Sequence, residues 1–297
     1  MRTLPWNQLG TDIEAAATVG EALALADLNW KVNSNPIFDA NGNTIPGFYA
    51  NTRDTDGEVL GIVGQRYQIV QNMDAFEFID ALVANGIQFI RAGVFHYGKA
   101  VWVLGKLPEY MILGDQFDPY VVFINSHDGT GSIKICMTPI RIACSNALNM
   151  ALKNASRTWS TRHMGDIQYK LQEAKHTLGM ANNYMIGLNQ DAERLALKQF
   201  NDVQFEKVFD RLFPINPQDS KRKIQNIVDM KDGMFKALQA PDLQNFNGSA
   251  WKYINAVTDY IDHADPARLT ANFAENRWQK IATGHQIVDA FYEEIAA

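Results

Sequence analysis

Cysteine is nearly absent: Cys136 and Cys144 are the only two in 297 residues. Two thiols eight positions apart form neither a disulfide scaffold nor a CxxC pair, which excludes thioredoxin-type redox chemistry and zinc-finger folds. Long apolar runs are missing too, so no transmembrane helix is expected. The start, "MRTLPWNQLGTDIEAA", has neither the basic opening nor the apolar stretch of a secretory signal, and a cytoplasmic location follows as the expectation. GxxxxGK[ST], GxGxxG and GxSxG do not occur, and the six histidines show neither HxH nor HExxH spacing. No cofactor, metal or nucleophile elbow is therefore expected. The most local absence is acid. Gly129–Gly165 contains no Asp or Glu, where the average for the chain would place about four.

What is present describes a globular chain. Hydrophobic residues make up 46% and charged residues 20%, enough apolar material for one large core or two smaller ones. The net charge of −6 argues against indiscriminate coating of nucleic acid, but it conceals an uneven distribution. Residues 1–60 carry eight acids and three bases, whereas residues 134–176 carry seven bases and two acids.

The first half reads as strands and turns. Residues 47–53 and 58–70 are rich in β-branched and aromatic side chains. Asn72 is read as the cap of a helix through Phe76, Ile79, Leu82 and Val83, closed by Gly86. Residues 87–107 form two strands about a His96–Lys99 turn, and 119–125 and 132–138 form a second hairpin around "SHDGTG". From Pro139 onward the reading is helical, with segments near 139–154, 165–190, 191–212, 219–239, 249–263 and 277–296. The expected architecture is α+β. An antiparallel or mixed sheet with a packed helix occupies residues 1–160, and a largely helical region occupies 161–297.

The acid-free segment carries the candidate site. Thr138 and Pro139 suit an N-cap and first helical position, and Arg141, Ser145, Asn149 and Lys153 recur at four-residue steps with Asn146 beside them. Small amides flanked by cations suit phosphate and sugar contacts. In the tail "NASRTWSTRH", Trp159 lies between Arg157 and Arg162, an aromatic among cations, as single-stranded nucleic acid is commonly held. Lys134 on the preceding strand, with Arg91 and Lys99, could extend the surface. The plainer alternative is a solvated helix face, a core Trp159 and an Arg141 paired with a distant acid. Two further readings compete: a metal-dependent nuclease or other hydrolase using His127 and Asp128, which first of all mark a turn, and a module that meets an acidic protein. Cys144 with His163 as a thiol pair is weaker than an inert buried cysteine. Residues 249–265 form an amphipathic helix suited to core packing.

Several motifs in order carry a resemblance. "NSHDG" at Asn125–Gly129 is followed by Pro139, Arg141, Cys144 and Asn146 in a P-x-R-x-x-C-x-N pattern. His163 and "NAVTDYIDH" at Asn255–His263 come after. Over about residues 20–290 the chain resembles the phage- and plasmid-encoded proteins grouped as domain of unknown function 932. Ala147 stands where threonine is frequent, and Asp259 where glutamate is common. The mobile-element setting of that family implies DNA metabolism in a bacterial host cell, and the layout loosely resembles single-strand annealing proteins. The expectation is ATP-independent binding or annealing of single-stranded DNA, with a homo-oligomer as the expected assembly. Lys134, Arg141, Asn146, Lys153, Arg157 and Arg162 would hold phosphates and Trp159 would stack a base.

Overall fold

In the computed structural model, residues 4, 6–7, 9–77, 79–80, 86–173, 177–266 and 268–297 are described. The main sheet is antiparallel throughout. Its strands are β1 (Thr11–Asp12), β5 (Gln88–Phe95), β6 (Ala100–Lys106), β7 (Tyr110–Ile112), β8 (Asp115–Ser126), β9 (Ile133–Arg141), β10 (Asn146–Ala147) and β11 (Thr158–Thr161). They run in the order β1-β5-β6-β8-β9-β10, with β7 paired to β8 and β11 to β9. A separate three-stranded sheet holds β2 (Val32–Phe38), β3 (Thr44–Arg53) and β4 (Val59–Gly64). Helices α1 (Val19–Leu25) and α2 (Asn72–Phe76) precede β5. The second half is helical: α3 (Ile167–Glu173), α4 (Thr177–Leu197), α5 (Asp202–Leu212), α6 (Lys221–Ala237), α7 (Ala250–His263), α8 (Phe273–Thr283) and α9 (Gln286–Ala296). The protein is α+β, as the sequence implied. No helix among the described residues is long and apolar enough to cross a membrane.

Both faces of the main sheet are covered, which explains why its central strands are apolar without interruption. Along β6, Val101 and Val103 enter the larger core, which also takes Tyr184 of α4, Trp251 of α7 and Phe291 of α9. Trp102 and Leu104 alternate onto the opposite face, against Trp6 and Trp278 of α8. The helical half thus packs on both faces of the sheet, α4, α7 and α9 on the larger core and α8 on the opposite one. The break expected near residue 190 is absent, because α4 runs unbroken to Leu197. The chain breaks instead at Asn201, which caps α5 with a reciprocal Asn201–Gln204 capping box. Leu82 and Val83 lie outside the described residues. Gln71, not Asn72, occupies the cap of α2.

The largest departure is the segment 139–154, which is not a helix. β9 continues through Pro139 to Arg141, and the chain then turns at Ser145, whose φ is +60°. It returns as β10 along the same edge, Asn146 opposite Arg141 and Ala147 opposite Ile140. Pro139 faces Pro119 across the ladder. The Pro119 carbonyl accepts from Leu107 N (2.8 Å) and the Pro139 carbonyl from Leu148 N (2.9 Å), both pointing away from the β8–β9 pairing. The two missing N–H groups therefore remove nothing from that ladder. The apolar spacing that mimicked a helix is satisfied by burial of Ile140, Cys144, Ala147, Leu148 and Met150 along a folded-back edge.

Arg141, 1% exposed, ties this edge down. Its guanidinium donates to Asp115 Oδ2 at 2.6–2.8 Å, to Asp242 Oδ2 at 2.5 Å and to the Asp242 carbonyl at 3.0 Å. Next to it, Ala147 N donates to Asp262 Oδ2 (2.7 Å), and Asn146 meets His263 Nε2 (3.1 Å). Burial pushes the Asp262 carboxyl up to about 7.

Arg141→Ala would leave two carboxylates facing a void, and we expect a loss of about 3–5 kcal/mol in a denaturant melt. Arg162→Ala, at an exposed site, should stay within about 0.5 kcal/mol. Equal effects of the two would refute this account. Asp262 predicts a pH dependence as well. Its folded pKa lies above the unfolded one, so its contribution is complete below about pH 4 and is lost as pH rises to about 7, at up to about 1.4 kcal/mol per unit. Asp262→Asn, which keeps the acceptor for Ala147, should flatten this part of the stability profile. An unchanged slope between pH 4 and 7 would count against a protonated Asp262.

Candidate functional site: a cationic groove beside the small sheet

A groove of about 1060 Å³ lies between the end of β4, the Gly129–Ser132 turn and the β9–β11 edge. Local pairing decides what faces it. Lys134 stands opposite Ser160 in the β9–β11 ladder, and both line the groove. Their neighbours Ile135 and Trp159, one residue along each strand, point the other way, into the larger core. Arg162 follows β11 directly, and Arg66 sits in the turn closed by Tyr67 N to Gly64 O (2.9 Å). The described lining residues include these three cations and no carboxylate.

The small sheet reaches the groove through close backbone contact. A Cβ on Gly61 would lie 2.5 Å from Asp128 Cα, and one on Gly129, whose φ is +79°, would meet Val63 Cγ1 at 2.9 Å. Only glycine permits β4 to lie against the 127–129 turn. Asp128 shapes that turn. Its carboxylate accepts from Ser126 Oγ (2.8 Å), Thr130 N (2.8 Å), Thr130 Oγ1 (2.7 Å) and Gly131 N (3.2 Å). Burial pushes its pKa up, but these donors outweigh burial and leave it below the ordinary carboxylate value. With its oxygens so occupied, Asp128 serves as a turn lock.

Beneath the groove lies a polar layer. His127 is fully buried, its Nε2 2.9 Å from Asn72 Oδ1, and the Asn72 amide donates to the Leu28 carbonyl (3.0 Å). Asn51 Nδ2 donates to the His127 carbonyl (2.8 Å). His163 lines the groove but is only 2% exposed. Its Nδ1 is 3.2 Å from the Gln68 carbonyl and its ring stacks on Tyr67 at 4.8 Å. Burial lowers the pKa of both imidazoles, that of His127 to about 3, so both are neutral at pH 7.

Of the seven residues singled out in sequence, the structure brings Lys134 and Arg162 to this groove. Arg141 is buried in its two ion pairs. Arg157, also buried, donates to the carbonyls of Met137 and Thr283, and Asn146 is buried against α7. None of these three is open to a phosphate. Lys153 is exposed but outside the groove lining, and Trp159 is half-buried on the core side. Arg91 donates to the Leu9 and Gly10 carbonyls, and neither it nor Lys99 lines the groove. Cys144 and Cys136 are buried and free, and burial raises both thiol pKa values, as for inert cysteines. Sequence reasoning missed Arg66 and Tyr67 by extending a strand through residue 70. The Gly64–Tyr67 stretch, a glycine followed by polar residues, was the available signal for a turn.

No curated protein and no solved structure matches the chain. A family model does, over residues 59–281, a span that includes the turn, helix α7 and every groove-lining residue but Gly47. The chain belongs to the family described as domain of unknown function (DUF932).

Proposed function

We propose that the groove binds the phosphate backbone of single-stranded nucleic acid, with single-stranded DNA as the expected ligand, without nucleotide hydrolysis. The observation that carries this reading is the convergence of Arg66, Lys134 and Arg162, none ion-paired among the described residues, on one groove with no lining carboxylate. A cluster of positive charge left unneutralised in a protein of net charge −6 is suited to an anionic ligand. Tyr67, half-buried at the groove and held by its hydroxyl on the Ser126 carbonyl (2.8 Å), offers a ring against which a base can stack. A recessed channel with three cations favours a flexible single strand over a rigid duplex, which would need a broader basic face.

Fluorescence anisotropy of a labelled oligothymidylate across a salt series tests the reading. Three phosphate contacts should give a slope of log K against log salt near −2, at about 0.7 per contact. Arg66→Ala, Lys134→Ala and Arg162→Ala should each reduce the slope by about 0.7, and the triple variant should abolish binding. Lys153→Ala should change neither affinity nor slope. Salt-insensitive binding, or equal weakening by Lys153→Ala, would remove the groove as the site.

A further inference from the structure

We propose that a pocket adjoining the groove takes one unstacked base that bears an exocyclic amino group, adenine or cytosine, with Asn51 Oδ1 accepting from that amine. The inference rests on the groove reading for its nucleic-acid partner, and it adds what the groove cations do not supply, a preference among bases. Strand register builds the pocket. Ser34 stands opposite Asn51 in the β2–β3 ladder, and Tyr49 stands opposite Val63 in the β3–β4 ladder. Directly paired residues share a face, as do residues two apart on one strand. Ser34, Tyr49, Asn51 and Val63 therefore rise from one side of the small sheet. Tyr67, from the chain after β4, completes the wall, held by His163 against its ring and by its hydroxyl on the Ser126 carbonyl. The result is a pocket of about 300 Å³, at the small end of ligand-sized clefts.

Val63, Gly64, Gln65 and Tyr67 line both the groove and this pocket, so the two adjoin. Their chemistry differs. The groove presents Arg66, Lys134 and Arg162, whereas the described residues lining the pocket include no charged one. A strand whose phosphates lie in the groove therefore has an uncharged recess beside it for a base, with the rings of Tyr49 and Tyr67 in its wall. Asn51 sets the choice of base. It is fully buried, its Nδ2 is committed to the His127 carbonyl at 2.8 Å, and its Oδ1 accepts from no group. A buried acceptor without a donor is uncommon in a native fold, and this one belongs to a side chain that lines a pocket. An amide oxygen only accepts, so the guest must offer an N–H. Adenine and cytosine carry an amine where guanine and thymine carry an oxygen. Ser34 and Gln65, both exposed, have side chains that donate and accept, and they suit the ring nitrogen next to that amine.

Uncharged nucleosides test the pocket apart from the groove cations. Titrated into the full chain and followed by NMR, deoxyadenosine should bind about fivefold tighter than purine deoxyriboside, the same nucleoside without its amine, as expected for one neutral hydrogen bond. Deoxycytidine should exceed thymidine in the same sense. Neither comparison needs a variant to fold. Ser34→Ala, Tyr49→Phe and Gln65→Ala remove the other uncommitted polar groups of the lining and should keep the ratio, whereas Tyr49→Ala should weaken both purine nucleosides together. No nucleoside binding, equal binding with and without the amine, or loss of the ratio in any of the first three variants would overturn the proposal, whatever the salt dependence of oligonucleotide binding. A chain that keeps the ratio but binds oligothymidylate without salt dependence would overturn the groove reading alone.

Discussion

The buried guanidinium of Arg141 is the constraint around which the two halves of the molecule are arranged. One carboxylate that neutralises it, Asp115, opens β8, and the other, Asp242, lies in the 3₁₀ turn Pro241–Phe246 that leads into α7. The Phe246 ring adds a face 5.7 Å from the guanidinium carbon. A charge this deep is tolerated only when its donors are matched, so the sheet edge and the approach to α7 must arrive together. Once they do, the chain beyond Arg141 has little freedom. It reverses at Ser145, and Asn146 and Ala147 come to rest against His263 and Asp262 at the end of α7.

That arrangement also explains the family motifs. The P-x-R-x-x-C-x-N segment and the "NAVTDYIDH" segment, more than a hundred residues apart in sequence, meet in space through Asn146–His263 and Ala147–Asp262. Asp259 adds a third tie, its Oδ1 accepting from the Asn146 amide (3.1 Å). These residues make the joint between sheet and helices. The "NSHDG" turn and His163, the other motif positions, belong to the groove, which Gly129 and His163 line.

Much of the architecture was legible because it is local. Alternating and β-branched runs marked β3, β5, β6, β8 and β9, and caps such as Ser249 marked α7. The segment 139–154 was not legible, because helical spacing of small apolar residues is equally met by an edge that folds back, and only the opposed Pro119–Pro139 pair distinguishes the two. The fate of its cations was hidden for a different reason. The partners of Arg141 lie 26 residues before it and 101 after it, and those of Arg157 are backbone carbonyls at Met137 and Thr283. Nothing in the neighbouring sequence signals such partners. Lys134 and Arg162 were visible as cations in an acid-free stretch and remain so in the structure, joined by an Arg66 whose turn had been read as strand.

The missing acid between Gly129 and Gly165 therefore has two physical meanings along one segment. Around Arg141, a local carboxylate would compete with Asp115 and Asp242 and weaken the long-range tie that brings α7 to the sheet. Around Lys134 and Arg162, a local carboxylate would neutralise cations that now face the groove unpaired. Asp128, one residue before the segment, shows what an acid at this position needs: four donors from Ser126, Thr130 and Gly131 hold its charge inside the turn and away from the groove lining. The absence of acid is thus a fold constraint at one end and a surface property at the other, and only the pairing of β9 with β11 and β10 separates the two.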